Sequence, residues 1–258
     1  MLISIITINF NDLEGLKKTM VSVLEQTYSD IEYIIIDGGS TDGSKEYIET
    51  QHTQLSYWVS EPDTGIYNAM NKGIDQATGE YLLFLNSGDW LVNAKIIENI
   101  EPDGFKTDII SCNIEVIGEG RRFIKRPPET ISFSYLYKDT LPHQSTYIKK
   151  ALFDRIGYYD ENLLIAADWK FFIQTICKFN ASYGYLDKVL SLYNLEGLSA
   201  QKENIIKLKK ERAALLQTEF SAYIDDMENL RDLSSTVGNL RKSRWINLLM
   251  RLGLINRF

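Results

Sequence analysis

The chain has 258 residues, 44 % hydrophobic and 24 % charged, which allows one substantial core and argues against disorder as the default. A net charge of −7 excludes a general nucleic-acid binder, which needs a basic surface to displace phosphate counterions. No run approaches the ~18 uninterrupted apolar residues of a spanning helix. Cys112 and Cys177 fit no zinc spacing, and the first residues do not resemble a signal segment, so a reducing cytosol is the expected compartment.

The charge is uneven along the chain. Residues 241–258 hold five basic residues (Arg241, Lys242, Arg244, Arg251, Arg257) and no acidic one, leaving −12 on residues 1–240. An acidic body that handles phosphorylated substrates needs a countercharge. With only two histidines in the chain, a carboxylate-bound hard cation such as Mg²⁺ or Mn²⁺ suits it better than zinc.

In chain order, Leu2–Ile8 and Tyr33–Ile36 are short β-branched runs followed by turn residues, the pattern of strands buried on both faces of a parallel sheet. Between them Leu16, Met20, Val23 and Leu24 recur at helical spacing over Leu13–Leu24, and a second helix starts at Ser44. Tyr57–Val59 reads as a short strand, Ile66–Ala77 as a helix ended by Gly79, and Tyr81–Leu85 as another buried strand. This alternation predicts an open doubly wound α/β sheet with ligands beyond the carboxyl ends of its strands. After Asn93 the pattern loosens: Ile109–Ile117 and Arg122–Lys125 read as antiparallel strands around Gly118–Gly120, Ser145–Ile148 as a strand, and Asp168–Phe179 as a helix. From Gln201 on the composition is helical, punctuated by Gly238 and Gly253. The economical division is a catalytic domain over 1–200, in halves 1–92 and 93–200, and a helical tail over 201–258.

Two strand ends carry candidate chemistry. Asp37-Gly38-Gly39-Ser40-Thr41-Asp42-Gly43 follows a buried strand, so its acids and small residues suit hydrogen bonding to a nucleoside's base and ribose; a tight turn with Ser40 or Asp42 capping the next helix suits the residues equally. The GxGxxG dinucleotide spacing is absent. Asn86-Ser87-Gly88-Asp89 ends another strand. Asp89 there is a candidate ligand for a cation bridging two phosphates, and an Asx-type turn is the alternative.

Taken in order, Ile5–Asn11, Ser22–Tyr28, Asp37–Gly43, Glu61–Gly73 and Gly79–Asp89 resemble the inverting family 2 glycosyltransferases of the GT-A fold, in particular the bacterial subgroup that builds polysaccharide and O-antigen repeat units. The resemblance is strong over roughly the first 90 residues and looser to about residue 195. It implies a mostly parallel central sheet with a small antiparallel portion on the acceptor side. It implies a nucleoside pocket bordered by Thr7, Asn9 and Asn11, with Asp37, Ser40 and Asp42 on uracil or ribose and Asp63 near the base. Asn71, Lys72, Asn86 and Ser87 would lie toward the diphosphate, and Asp89 would hold the metal. The usual Asp-x-Asp pattern appears here as Asn86-Ser87-Gly88-Asp89, Ile8 replaces a frequent proline, and Met70 a frequent arginine.

An inverting transfer needs one general base near the acceptor hydroxyl. The resemblance places it at Asp168, with a helix cap as the competing role and Asp160 and Glu161 as runners-up. His143, Gln144 and Trp169 are expected on the acceptor side, Trp169 packing on a sugar face. The implied partners are a nucleoside-diphosphate sugar, UDP before GDP or dTDP, and a glycan or polyprenyl-diphosphate-linked acceptor. A catalytically silent nucleotide-sugar-binding partner in a polysaccharide assembly complex is the alternative. The basic apolar segment from Trp245 to Ile255 fits either an anionic membrane at the inner face of the cell, approached from the cytoplasm, or a protein contact.

Overall fold

In the computed structural model, residues 1–118, 120–194 and 202–256 are described. Nine strands among them form one sheet. Its first half is parallel: β1 (Ile3–Asn9) lies between β2 (Ile31–Asp37) and β4 (Tyr81–Phe84), and β3 (Tyr57–Ser60) extends the edge beside β2. All seven residues of β1 are buried, which is why the run lacks the polar alternation of a half-exposed strand. The α-helices α1 (Leu13–Leu24), α2 (Ser44–Gln51) and α3 (Ile66–Gln76) connect these strands. Asp12 caps α1 by accepting the Gly15 amide at 3.0 Å, and Leu16, Met20 and Val23 face the core. Gly73 lets α3 lie directly on β1, because a Cβ there would collide with Ile6 Cγ2.

Beyond β4 the sheet turns antiparallel through β8 (Thr146–Lys149) and β6 (Ile109–Gly118), while β9 (Tyr183–Asn194) runs parallel to β6. The remaining strands β5 (Trp90–Leu91) and β7 (Arg121–Lys125) pair antiparallel with β9 and β6. The expected mostly parallel sheet with an antiparallel portion is therefore present. Four short helices flank this second half: α4 (Ile96–Gly104), α5 (Phe133–Lys138), α6 (Ala151–Ile156) and α7 (Ala167–Cys177).

Contacts divide the chain into units 1–211 and 212–258. The expected boundary at 200/201 lies outside the described residues, as do Glu119 in the β6–β7 turn and Arg257 of the basic cluster. α8 (Lys202–Glu219) is followed by α9 (Ser221–Lys242) and α10 (Arg244–Arg251). Gly238 was expected to punctuate the tail, but α9 runs through it, since one mid-helix glycine costs only about 1 kcal/mol. The break comes at Ser243, where the backbone becomes extended.

Substituting Gly73→Ala should lower unfolding stability by about 1–3 kcal/mol, because the added methyl forces α3 off β1. A urea midpoint equal to that of the wild type would show that the contact has slack.

Candidate active site

At the ends of β1 and β2, Asp37 is fully buried and gathers four donors. Its Oδ1 accepts from Asn9 Nδ2 at 2.7 Å and Ser40 Oγ at 2.5 Å; its Oδ2 accepts from the Ser40 amide at 3.0 Å and Ser60 Oγ at 2.6 Å. A carboxylate has about four acceptor positions, so Asp37 is saturated by the protein. These four bonds give it a structural role at the strand ends, where a contact with base or ribose was expected. Burial alone would raise its pKa, but the donors from Ser40, Ser60 and Asn9 outweigh it and hold the carboxyl below its ordinary value.

The same corner is knitted further. Ser40 Oγ accepts from the Asn11 amide at 2.8 Å, and Asn11, at φ 51°, accepts the Thr41 amide at 2.9 Å. Asp42 accepts the Leu13 amide at 2.8 Å and the Ser44 amide at 3.1 Å, tying the starts of α1 and α2 together. Thr7 is withdrawn from the expected pocket: it is wholly buried, and its hydroxyl pairs with Tyr33 Oη at 3.0 Å. Asp63 does reach the strand edge. Gly38 makes room for it, since a Cβ there would collide with Asp63 Oδ2 and stand 3.2 Å from Phe10. Phe10 itself is 64 % exposed beside them, a flat apolar surface at the strand ends that the sequence reading passed over.

Asn71 and Lys72, expected at the diphosphate, are engaged elsewhere. Asn71 is buried and exchanges hydrogen bonds with the Tyr159 backbone, donating to its carbonyl at 2.9 Å and accepting its amide at 3.0 Å; it also donates to Glu161 at 2.8 Å. It docks the loop before α7. Lys72 Nζ pairs with Glu61 at 2.7 Å.

The Asn86–Asp89 turn is built from its backbone outward. Gly88 adopts φ 89°, and Thr19 of α1 binds the turn on both sides: its hydroxyl donates to the Asp89 carbonyl at 2.7 Å and accepts the Gly88 amide at 3.1 Å. Asp89 is buried, and burial pushes its carboxyl up to about 7 against the opposing pull of His143, a Gln144 side-chain hydrogen bond and the Asn194 amide. Gln144, expected on the acceptor side, is thus a partner of Asp89. Asn86 Oδ1 and Ser87 Oγ are buried and without a hydrogen-bond partner, a costly state unless something occupies them. These oxygens and the Asp89 carboxylate suit a hard divalent cation. Among the described residues no group of three or more His, Cys, Asp or Glu could hold a metal. Most of the shell would therefore come from phosphate and water.

His143 links this turn to Asp168. Its Nε2 stands 3.4 Å from Asn86 Nδ2 and its Nδ1 3.3 Å from Asp168 Oδ2. The ring thus stands between the amide of Asn86 and the carboxylate of Asp168, which can only accept when ionised. Tyr67 Oη donates to Asp168 Oδ1 at 3.2 Å. Burial and the Asp168 charge push the Tyr67 hydroxyl well above its ordinary pKa, so it remains a donor. Asp168 sits in the first turn of α7, where the helix dipole favours a carboxylate.

The loop leading into α7 is held by Glu211, whose carboxylate accepts the amides of Leu164 at 2.7 Å, Ile165 at 3.1 Å and Ala166 at 3.0 Å. The runners-up for the base are engaged as well, Asp160 by Lys170 at 2.7 Å and Glu161 by Asn68 at 2.9 Å and by Asn71. Trp169 is a correction. It is fully buried, its ring N–H donates to the Leu136 carbonyl at 2.6 Å, and it offers no face to a sugar.

Known structures share this architecture. S. aureus TarS residues 1–349, in complex with UDP-GlcNAc, superposes with a TM-score of 0.61 at 20 % identity over 75 % of this chain, which spans 58 % of that one. A mannosyltransferase from Pyrobaculum calidifontis, in complex with GDP-Man and Mn²⁺, gives 0.62 at 14 % identity over 98 % of this chain and 81 % of its own. The fold is thus of the GT-A glycosyltransferase type. The glycosyl transferase family 2 profile matches residues 4–160, and the chain belongs to that family. An uncharacterised glycosyltransferase of Mycobacterium tuberculosis is 37 % identical over 179 residues, 67 % of this chain and 68 % of that protein. A PGL/p-HBAD biosynthesis glycosyltransferase of Mycobacterium bovis is 30 % identical over 202 residues, 74 % of this chain and 76 % of that protein.

Asp37→Asn should lower stability at neutral pH by about 1–3 kcal/mol, since an amide nitrogen would face donors. The folded-state pKa of Asp37 lies below its unfolded value near ~4, so its stabilisation is complete above that pH and fades as acid titrates the folded carboxylate. Urea midpoints of the two proteins should therefore converge in acid; a difference that ignores pH would contradict the assignment.

Proposed function

We propose that the chain is a metal-dependent, inverting transferase. It moves one sugar from a nucleoside-diphosphate sugar, with UDP the favoured carrier, to a hydroxyl of a glycan or polyprenyl-diphosphate-linked glycan. The setting is cell-surface polysaccharide assembly, such as O-antigen repeat units, on the cytoplasmic side of the membrane. Residues 1–92 serve the donor and 93–200 the acceptor.

The observation that carries this reading is the hydrogen-bonded run from Asn86 through His143 to Asp168 and Tyr67, which joins the candidate diphosphate turn to the candidate base. Family membership and the glycosyltransferase relatives support it, as do structural neighbours that hold UDP-GlcNAc and GDP-Man.

Phe10 supplies a stacking face for the nucleobase, and Asp63 approaches Gly38 beside it. Asp168 takes the acceptor hydroxyl proton as that oxygen attacks the anomeric carbon opposite the diphosphate. The glycosidic bond to the diphosphate oxygen breaks, and its electron pair leaves with the nucleoside diphosphate. Asp89, with Asn86 and Ser87, would hold a divalent cation, which when bound would supply charge neutralisation for that leaving group. Tyr67 and His143 fix the direction of the Asp168 carboxylate, and both are positioning residues.

A thermal-shift screen of UDP-, GDP- and dTDP-sugars, with Mn²⁺ or with a chelator, identifies the donor and the metal requirement together. Asp168→Asn should reduce kcat by about 10²-fold or more while donor binding persists. Asp89→Ala should impair Mn²⁺-dependent donor binding and turnover alike. No nucleotide release from the wild type across donors and acceptors, with metal present, would overturn the reading.

Phe10→Ala should weaken donor binding by about tenfold, roughly the value of one aromatic stacking contact. Calorimetric titration with UDP measures it, and an unchanged affinity would remove Phe10 from the donor site.

A further inference from the structure

Residues 212–258 form a compact unit whose last helix has a face the proposed transfer does not use. α10 starts where Ser243 breaks α9 at φ −68° and ψ 124°, and Asn247 Nδ2 secures the bend by donating to the Arg241 carbonyl at 2.9 Å. Trp245, Leu248, Leu249 and Leu252 follow the i, i+3, i+4, i+7 pattern of a single face. A helix that packs on its own domain buries such a face. Here it is turned to solvent, with Trp245 77 %, Leu248 45 %, Leu249 38 % and Leu252 63 % exposed. After Gly253, Leu254 extends the apolar surface at 67 % exposure.

One border of this face carries Arg244 and Arg251, and Arg241 with Lys242 ends α9 just before it. No Asp or Glu follows Asp232 in the sequence. The surface thus combines contiguous apolar side chains, rare on a monomer, with a cationic border that includes Arg244 and Arg251.

We infer that the α10 face lies in an anionic lipid surface. Charge complementarity selects this occupant. A second copy meeting the same face about a two-fold axis would bring the cationic flanks of both chains together, whereas a lipid headgroup plane is negative throughout. An eight-residue helix is far too short to span a bilayer, and no helix among the described residues is long and apolar enough to do so. α10 therefore lies parallel to the surface, with its leucines below the headgroups, the Trp245 indole at the boundary and the arginines reaching lipid phosphates. The inference rests on residues 241–256 and not on the transfer reading, so either can fail alone.

The test is flotation of the full chain with vesicles of phosphatidylcholine alone or mixed with phosphatidylglycerol. The chain should float with the mixed vesicles, remain behind with phosphatidylcholine, and detach as salt is raised. Arg244→Gln and Arg251→Gln should each weaken partition by roughly fivefold. The double variant Leu248→Asp/Leu252→Asp should abolish flotation while keeping the wild-type circular dichroism spectrum, because both side chains are exposed. Trp emission should shift to the blue with anionic vesicles, and Trp245→Phe should remove that shift. Absence of flotation with phosphatidylglycerol, or flotation of the aspartate variant like the wild type, would overturn the inference. A dimer in sedimentation that the aspartate variant dissolves, without lipid binding by either protein, would assign the face to a second copy instead.

Discussion

The placement of β1 between two parallel neighbours, enclosed on both faces, constrains everything that follows. Once Ile3–Asn9 pairs in register with Ile31–Asp37 on one side and Tyr81–Phe84 on the other, the strand ends open on one edge. Asn9, Asp37 and the Asn86–Asp89 turn are then neighbours without any one loop having to gather them. Two of the connecting helices are locked to this frame by close contacts: Gly73 seats α3 on Ile6, and Thr19 of α1 binds the backbone of the Asn86–Asp89 turn. The loops at the edge gain their rigidity from the sheet.

Environment separates the acidic residues of that edge into different tasks. Asp37 and Asp42 spend their oxygens on the protein, and their carboxyls are held below the ordinary range because hydrogen bonds outweigh burial. Asp89 has few donors and is enclosed, so burial dominates and its carboxyl is pushed up. Such a group is better satisfied by a cation than by water, which agrees with the orphaned oxygens of Asn86 and Ser87 beside it. Asp168 is different again, oriented by Tyr67 on one oxygen and His143 on the other. The same side-chain chemistry thus yields scaffold, enclosed acid and oriented carboxylate.

Much of the first half was legible because burial on both faces leaves unbroken β-branched runs, and α1 begins and ends where the apolar spacing says it should. β9 was missed: Gly184, Asp187 and Lys188 interrupt its apolar pattern, and its pairing with β6 shifts register around Asn113. Asp89 stands out in sequence through the strand end it occupies, whereas Asp168 is singled out only by the family resemblance. Trp169 misled because its neighbour is a candidate base, yet Trp169, Phe172 and Ile173 have the i, i+3, i+4 spacing of a core face, and all three are buried. Asn71 and Lys72 could not be placed, since their partners Tyr159 and Glu61 are fixed by tertiary docking. Tyr67 and Glu211 leave no local signal at all.

Glu211 gives the catalytic unit a longer minimum than its family match. That match ends at residue 160, before Asp168, and the amides of Leu164, Ile165 and Ala166 close onto a carboxylate more than forty residues downstream. A chain shortened to residue 200 would keep every strand among the described residues and Asp168, yet would take from three amides at the entrance to α7 the carboxylate that accepts them. The first stretch of α8, up to Glu211, thus belongs to the packing that sets the start of α7, and variation at that position becomes a route by which a remote segment shifts Asp168 while the corner around Asp37 stays unchanged.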